Sequence, residues 1–126
     1  NSAIKSLSAR QLNYLTHPDP HDTTALIVVH NNGQREVEVA AARYVVDPDR
    51  KGSMFAIVVA DAWQRRGIGT RLMRALVRHA RAEGIRRLYD FTFESNIGMR
   101  KFAECMGFAE TRCPDDPSCI ALAKPL

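Results

Sequence analysis

The feature that most constrains the fold is an apolar run, Phe55-Ala56-Ile57-Val58-Val59-Ala60, followed three residues later by Gln64-Arg65-Arg66-Gly67-Ile68-Gly69-Thr70. A run of this kind from Ser53 to Ala60 reads as a strand covered on both faces. Beyond the glycines, Ile68, Leu72, Met73, Leu76, Val77 and Ala80 recur at helical spacing, and Glu83-Gly84 supplies a left-handed stop. A strand, a glycine turn and a helix start in succession place unpaired backbone N–H groups at a positive dipole end, where a phosphate is favourably held. Gly67 and Gly69 let the backbone approach without a Cβ, and Arg65 and Arg66 add charge. The turn lacks the third glycine of a dinucleotide fingerprint and the Gly-Lys-Ser/Thr ending of a phosphate loop. It therefore predicts a phosphorylated cofactor held in some other way.

The rest of the chain arranges itself around this unit. Ser8 to Leu15 reads as a short helix capped by Ser6 or Ser8, and the stretch from Thr16 to Asp22 as a proline-broken loop. Thr23–His30 and Val37–Val46 read as strands joined through Asn31-Asn32-Gly33. Arg87–Phe93 is a further strand. Ser95 or Asn96 then caps a helix running to about Met106, and Phe108–Arg112 and Ile120–Ala123 pair as the last two strands. The predicted order is α-β-β-β-α-β-α-β-β, a mixed sheet with helices packed on it. At 126 residues the chain has room for one domain, over 1–126, with Asn1–Ala3 set aside as an expression remnant.

Charge and cysteine content narrow the function. Eight arginines lie within 64–87 against the single acid Glu83, a local +7 on a chain whose total is +4. A basic segment on an otherwise slightly acidic body points to a local anion site; without interleaved aromatic residues it argues against nucleic-acid binding. The helix arginines 71, 74, 78 and 81 read as a solvated face. Three cysteines (105, 113, 119) with no apolar signal core near Asn1–Lys5 predict a cytoplasmic protein with free thiols, Cys105 being a small buried hydrophobe. His17 and His21 lack a third ligand, so no metal is expected. His79, Trp63 and Tyr44 read as packing residues, and no run is long enough to cross a membrane.

The segment Val59-Ala60-Asp61-Ala62-Trp63-Gln64-Arg65-Arg66-Gly67-Ile68-Gly69 resembles the acetyl-CoA motif of GNAT N-acetyltransferases, Q/R-x-x-G-x-G/A. Asn96-x-x-Met99 and Met106-Gly107-Phe108 resemble the later block of that family, and the element order agrees. Within the family the chain is similar to the acetyltransferase domain of Pat-type protein lysine acetyltransferases. Leu7–Leu12, the segment from Ala42 to Asp49 and Pro114–Pro117 carry this likeness.

The resemblance implies a mixed, mostly antiparallel sheet with helices on both faces and a V-shaped split between two central parallel strands. It implies direct acetyl transfer from acetyl-CoA to an amine, with a protein lysine as the acceptor, by a monomer or weak dimer. The backbone of Ile57, Val58 and Val59 would hold the pantetheine arm, and Gln64, Arg65, Arg66, Gly67, Ile68, Gly69 and Thr70 the pyrophosphate. Asn96 and Met99 would complete the site.

The catalytic side chains depart from the pattern. Met54 stands where Pat-like domains carry a general-base Glu, and Ala103 where many GNAT members carry a tyrosine acid. Methionine takes no proton, and an amine of pKa near 10 must lose one before it attacks. Glu94 and Asp90 are the remaining candidates for the base. A small-molecule amine acetyltransferase and a catalytically weak acetyl-CoA-binding regulatory module are the alternative functions.

Overall fold

A computed structural model describes residues 7–12, 23–31 and 33–126. The strands are β1 (Leu7–Leu12), β2 (Thr23–Asn31), β3 (Glu36–Val46), β4 (Gly52–Val59), β5 (Arg87–Phe93), β6 (Ala109–Arg112) and β7 (Cys119–Pro125). A 3-10 turn, Asp61–Trp63, leads to helix α1 (Ile68–Ala82), and helix α2 (Ile97–Cys105) follows β5. The seven described strands form one sheet in the order β1-β2-β3-β4-β5-β7-β6. Every pairing is antiparallel except β4 with β5.

The expected N-terminal helix is instead strand β1, paired in unbroken register from Leu7↔His30 to Leu12↔Ala25. Local propensity is a weak term here, and the backbone groups along the free edge of β2 require partners. The stretch 13–22, with His17, His21 and the proline loop, lies outside the described residues.

The core lies on one face of the sheet. Tyr44 and Phe55, neighbours in register, are buried there with Leu88 and Leu122. Helix α1 covers them with Ile68, Leu72, Met73, Leu76, Val77 and Ala80, the residues its spacing predicts. Phe55 meets Phe108 with ring centroids 5.1 Å apart. His79 packs as expected: its Nδ1 lies 2.8 Å from the Tyr44 hydroxyl, whose pKa burial raises. Both described helices lie on this face, since Gly69 of α1 sits against Phe102 of α2. A helix on the other face would have to fall outside the described residues.

Strand β4 is accordingly not covered on both sides, contrary to its composition. Ser53 and Phe55 are buried while Met54 and Val58 are exposed. Two further expectations are overturned. Cys113 and Cys119 form a disulfide, with Cα atoms 5.4 Å apart, because Arg112↔Ile120 ends the β6–β7 ladder and puts the cysteines opposite each other next. Cys105, the last residue of α2, is free and exposed, not buried.

Strands β4 and β5 pair only over Gly52↔Arg87, Ser53↔Leu88 and Met54↔Tyr89. Beyond that point each stays bonded to its outer neighbour, β4 to β3 and β5 to β7, and the sheet opens between them. This is the V-shaped split, and it opens the cleft between the two strands.

Candidate active site

The split is the floor of an open cleft of about 1070 Å³. One wall is the end of β4 with the Gln64–Thr70 turn; the other is β5 from Asp90 to Phe93, with Asn96 and Met99 at the start of α2.

Backbone alternation decides which β4 groups face the cleft. The Ala60 N–H donates to Val39 O at 2.8 Å, so at Ala60 the backbone points to β3. Strand period then turns the N–H and C=O of Ile57 and Val59 toward the split and those of Val58 toward β3. Of the three predicted backbone contacts, Ile57 and Val59 therefore offer main-chain groups to the cleft, while Val58 offers its side chain. The Val59 carbonyl is engaged by Gln64 Nε2 at 3.0 Å.

Gln64 holds the turn together. Its Nε2 also reaches Asp61 Oδ1 at 3.3 Å, and its N–H donates to Asp61 O at 3.3 Å. Arg65 is forced to φ 62°, and Gly67 caps α1 at φ 79° and ψ 5°. Both are left-handed, a conformation glycine adopts without penalty and arginine does not. The first intrahelical bond is from Arg71 N–H to Gly67 O at 3.1 Å, so the amides of Ile68, Gly69 and Thr70 have no acceptor within the helix. With no acid in the first turn of α1, the electrostatics of this helix start favour negative charge. Arg66 instead lies over the Trp63 ring at 4.8 Å, and that ring packs on His30 with centroids 4.8 Å apart.

Asn96 Oδ1 accepts the Met99 N–H at 3.1 Å, so the asparagine caps α2 as its sequence position predicts. Asn96 and Met99 both line the cleft, and Met99 also packs against the core.

The two candidate bases separate clearly. Asp90 is the first β5 residue beyond the last β4–β5 pair, at the vertex of the split. It is half-buried, and desolvation raises its pKa; a hydrogen bond from the Phe91 backbone N–H opposes that shift. Glu94 N–H bonds to Ser118 O on the β7 side, so alternation turns the Phe91 backbone toward the split, and the Asp90 carboxylate turns with it. Glu94 is exposed, ion-paired to Arg112 Nη1 at 3.0 Å and held below the usual carboxylate range. It does not line the cleft.

Met54 is also outside the cleft lining, 41% exposed on the face opposite α1. Sequence reasoning missed Phe91, Phe93 and Asp116, which do line it. The two-residue period of Tyr89-Asp90-Phe91-Thr92-Phe93 was the available signal for the first two.

The Acetyltransferase (GNAT) family profile matches residues 5–108. The chain belongs to the GNAT acetyltransferase family. The reaction of that family is acetyl transfer from acetyl-CoA to an amine. Acetyltransferase PA5475 of Pseudomonas aeruginosa is 32% identical over 114 residues, covering 90% of this chain and 61% of that protein. The chain thus spans about three fifths of the length of that relative.

Among solved structures, the GNAT domain of S. lividans PAT superposes with a TM-score of 0.73 at 24% identity, over 87% of this chain and 64% of that one. A GNAT family acetyltransferase from Elizabethkingia anophelis with acetyl-CoA bound superposes with a TM-score of 0.74 at 16% identity, over 96% and 99% of the two chains. At these identities the structural likeness is one of fold. Among the described residues no cluster of three His, Cys, Asp or Glu is suited to a metal, and no helix is long and apolar enough to cross a membrane.

Proposed function

We propose that residues 1–126 form one acetyltransferase domain that moves acetyl from acetyl-CoA to a protein lysine, with Asp90 taking the proton. The observation that carries this reading is the position of Asp90, a half-buried carboxylate where β4 and β5 part, in a cleft walled by the open amides of α1. The free amides of Ile68, Gly69 and Thr70 and the exposed main chain of Ile57 and Val59 fit an elongated, phosphorylated thioester. Gln64, Arg65, Arg66 and Gly67 shape the turn that presents those amides, and Asn96 and Met99 close the far side. The lysine assignment rests on the Pat-like segments of the sequence.

Acetyl-CoA supplies an activated acyl group that an uncharged amine attacks. The contribution of this chain is to align the reactants and take up the proton. A lysine ammonium of pKa about 10 is a poor nucleophile until deprotonated. A carboxylate whose pKa has been raised is a better proton acceptor than an ordinary one. The amides of the open β4 edge are positioned to donate to a carbonyl oxygen that gains negative charge.

The test is thiol release with a lysine-bearing protein. Asp90→Asn is expected to lower kcat by about 10²- to 10³-fold, within the usual range for general-base removal. Glu94→Gln is expected to stay within about twofold of wild type, since that carboxylate lies outside the cleft. Met54→Glu, at a position that does not line the cleft, gains no rate. A large gain from Met54→Glu, with Asp90→Asn near wild type, would establish the alternative of a module that has lost its base.

A further inference from the structure

Six large hydrophobic residues are exposed among the described residues, and four of them, Met54, Val58, Phe91 and Phe93, flank the split. Met54↔Tyr89 fixes the relative register of β4 and β5, and the two-residue period then puts all four on the face turned away from α1 and α2. They are not scattered surface apolars. Val58 is 65% exposed, Phe91 51% and Phe93 70%, and these three line the cleft. A contiguous exposed apolar surface continuous with a reaction cleft marks a binding surface.

Its end is charged. Phe93 pairs with Cys119, and the disulfide-closed hairpin beyond brings Asp116 to the same cleft. Asp116 Oδ1 accepts the Ser118 N–H at 2.9 Å and hydroxyl at 2.7 Å. No cation among the described residues pairs with it.

We propose that this surface selects the acceptor: a lysine-bearing segment with an aromatic or large aliphatic residue directly beside the reactive lysine. The inference rests on the acetyl-transfer reading and deepens it. An amine reacting near Asp90 at the vertex leaves the rest of the acceptor against Val58, Phe91 and Phe93. A polar neighbour would be stripped of water there with no partner, whereas an apolar one gains by burial. The Asp116 carboxylate complements the positive charge of the arriving lysine.

The experiment compares two blocked peptides of equal charge, acetyl-Gly-Lys-Phe-Gly-amide and acetyl-Gly-Lys-Gly-Gly-amide, alongside calorimetric titration with acetyl-CoA. Wild type is expected to favour the Phe peptide by about tenfold in kcat/KM, the scale of one partly buried aromatic contact, with the difference in KM. In Phe93→Ala and in Phe91→Ala that ratio should fall toward one. The ratio cancels any general loss common to both peptides. Equal use of the two peptides by wild type, with acetyl-CoA bound, overturns the selection while leaving acetyl transfer standing. So does a preference that survives both alanine variants. Absence of acetyl-CoA binding removes the acetyl-transfer reading and this one with it.

Discussion

Substituting each glycine of the turn by alanine should give stability changes of opposite sign. Gly67 caps α1 at φ 79°, and a Cβ added there meets nothing within 4 Å. Crowding therefore contributes nothing, and the whole cost is the left-handed backbone, about 1–2 kcal/mol for an L-residue. Gly69 lies inside the helix without a positive φ. A Cβ there would stand 3.5 Å from Phe102 Cε1 and 3.8 Å from Val59 Cγ2, ordinary van der Waals contact. Alanine is the better helix former by up to about 1 kcal/mol, and roughly half of that is expected so near the helix start. Gly67→Ala should thus destabilise and Gly69→Ala mildly stabilise, separated by about 2 kcal/mol. In urea unfolding, with a slope of about 2 kcal/mol/M for a domain of this size, the midpoints should differ by roughly 1 M. Equal losses from both substitutions would refute the backbone assignment, as would a neutral Gly67→Ala. The same geometry explains why the family motif admits Gly or Ala at the second position and only Gly at the first.

Asp90→Asn should alter the pH dependence of stability as well as the rate. The folded-state pKa of Asp90 lies above its ordinary value of 3.8, so the folded protein retains this proton over a window in which the unfolded chain has lost it. Stability is then highest below that window, falls as pH rises across it and is constant above. Asp90→Asn should remove this fall and leave the protein more stable at neutral pH than wild type; urea midpoints measured across that window would contradict the assignment if the two proteins ran parallel. The Cys113–Cys119 bridge closes a short loop, and its reduction should cost roughly 2 kcal/mol, read as a lower urea midpoint in reductant. Thiol titration of the denatured, unreduced chain should find one reactive cysteine, Cys105. Three would show that the bridge does not form.

The glycine-turn wall of the cleft was legible in the sequence because its parts are set by local spacing. The apolar run, the turn at Gln64–Thr70, the stripe from Ile68 to Ala80 and the Asn96 cap each follow from spacing within a few residues, and the periodicities of strand and helix act at that range. The β1 segment was misread for the complementary reason: what makes it a strand is the edge of β2, with Leu12 set against Ala25.

Long-range register settled the rest. That Asp90 stands at the vertex while Glu94 turns out to Arg112 depends on where the β4–β5 ladder stops. The Cys113–Cys119 bridge depends on the β6–β7 pairing. The exposed faces of Met54, Val58, Phe91 and Phe93 depend on which side of the sheet α1 and α2 cover. The sequence by itself determined the strand–turn–helix whose first amides have no acceptor within the helix. Only the tertiary structure decided which carboxylate and which apolar residues border the cleft, because those groups come from strands joined through hydrogen bonds and not through neighbouring residues.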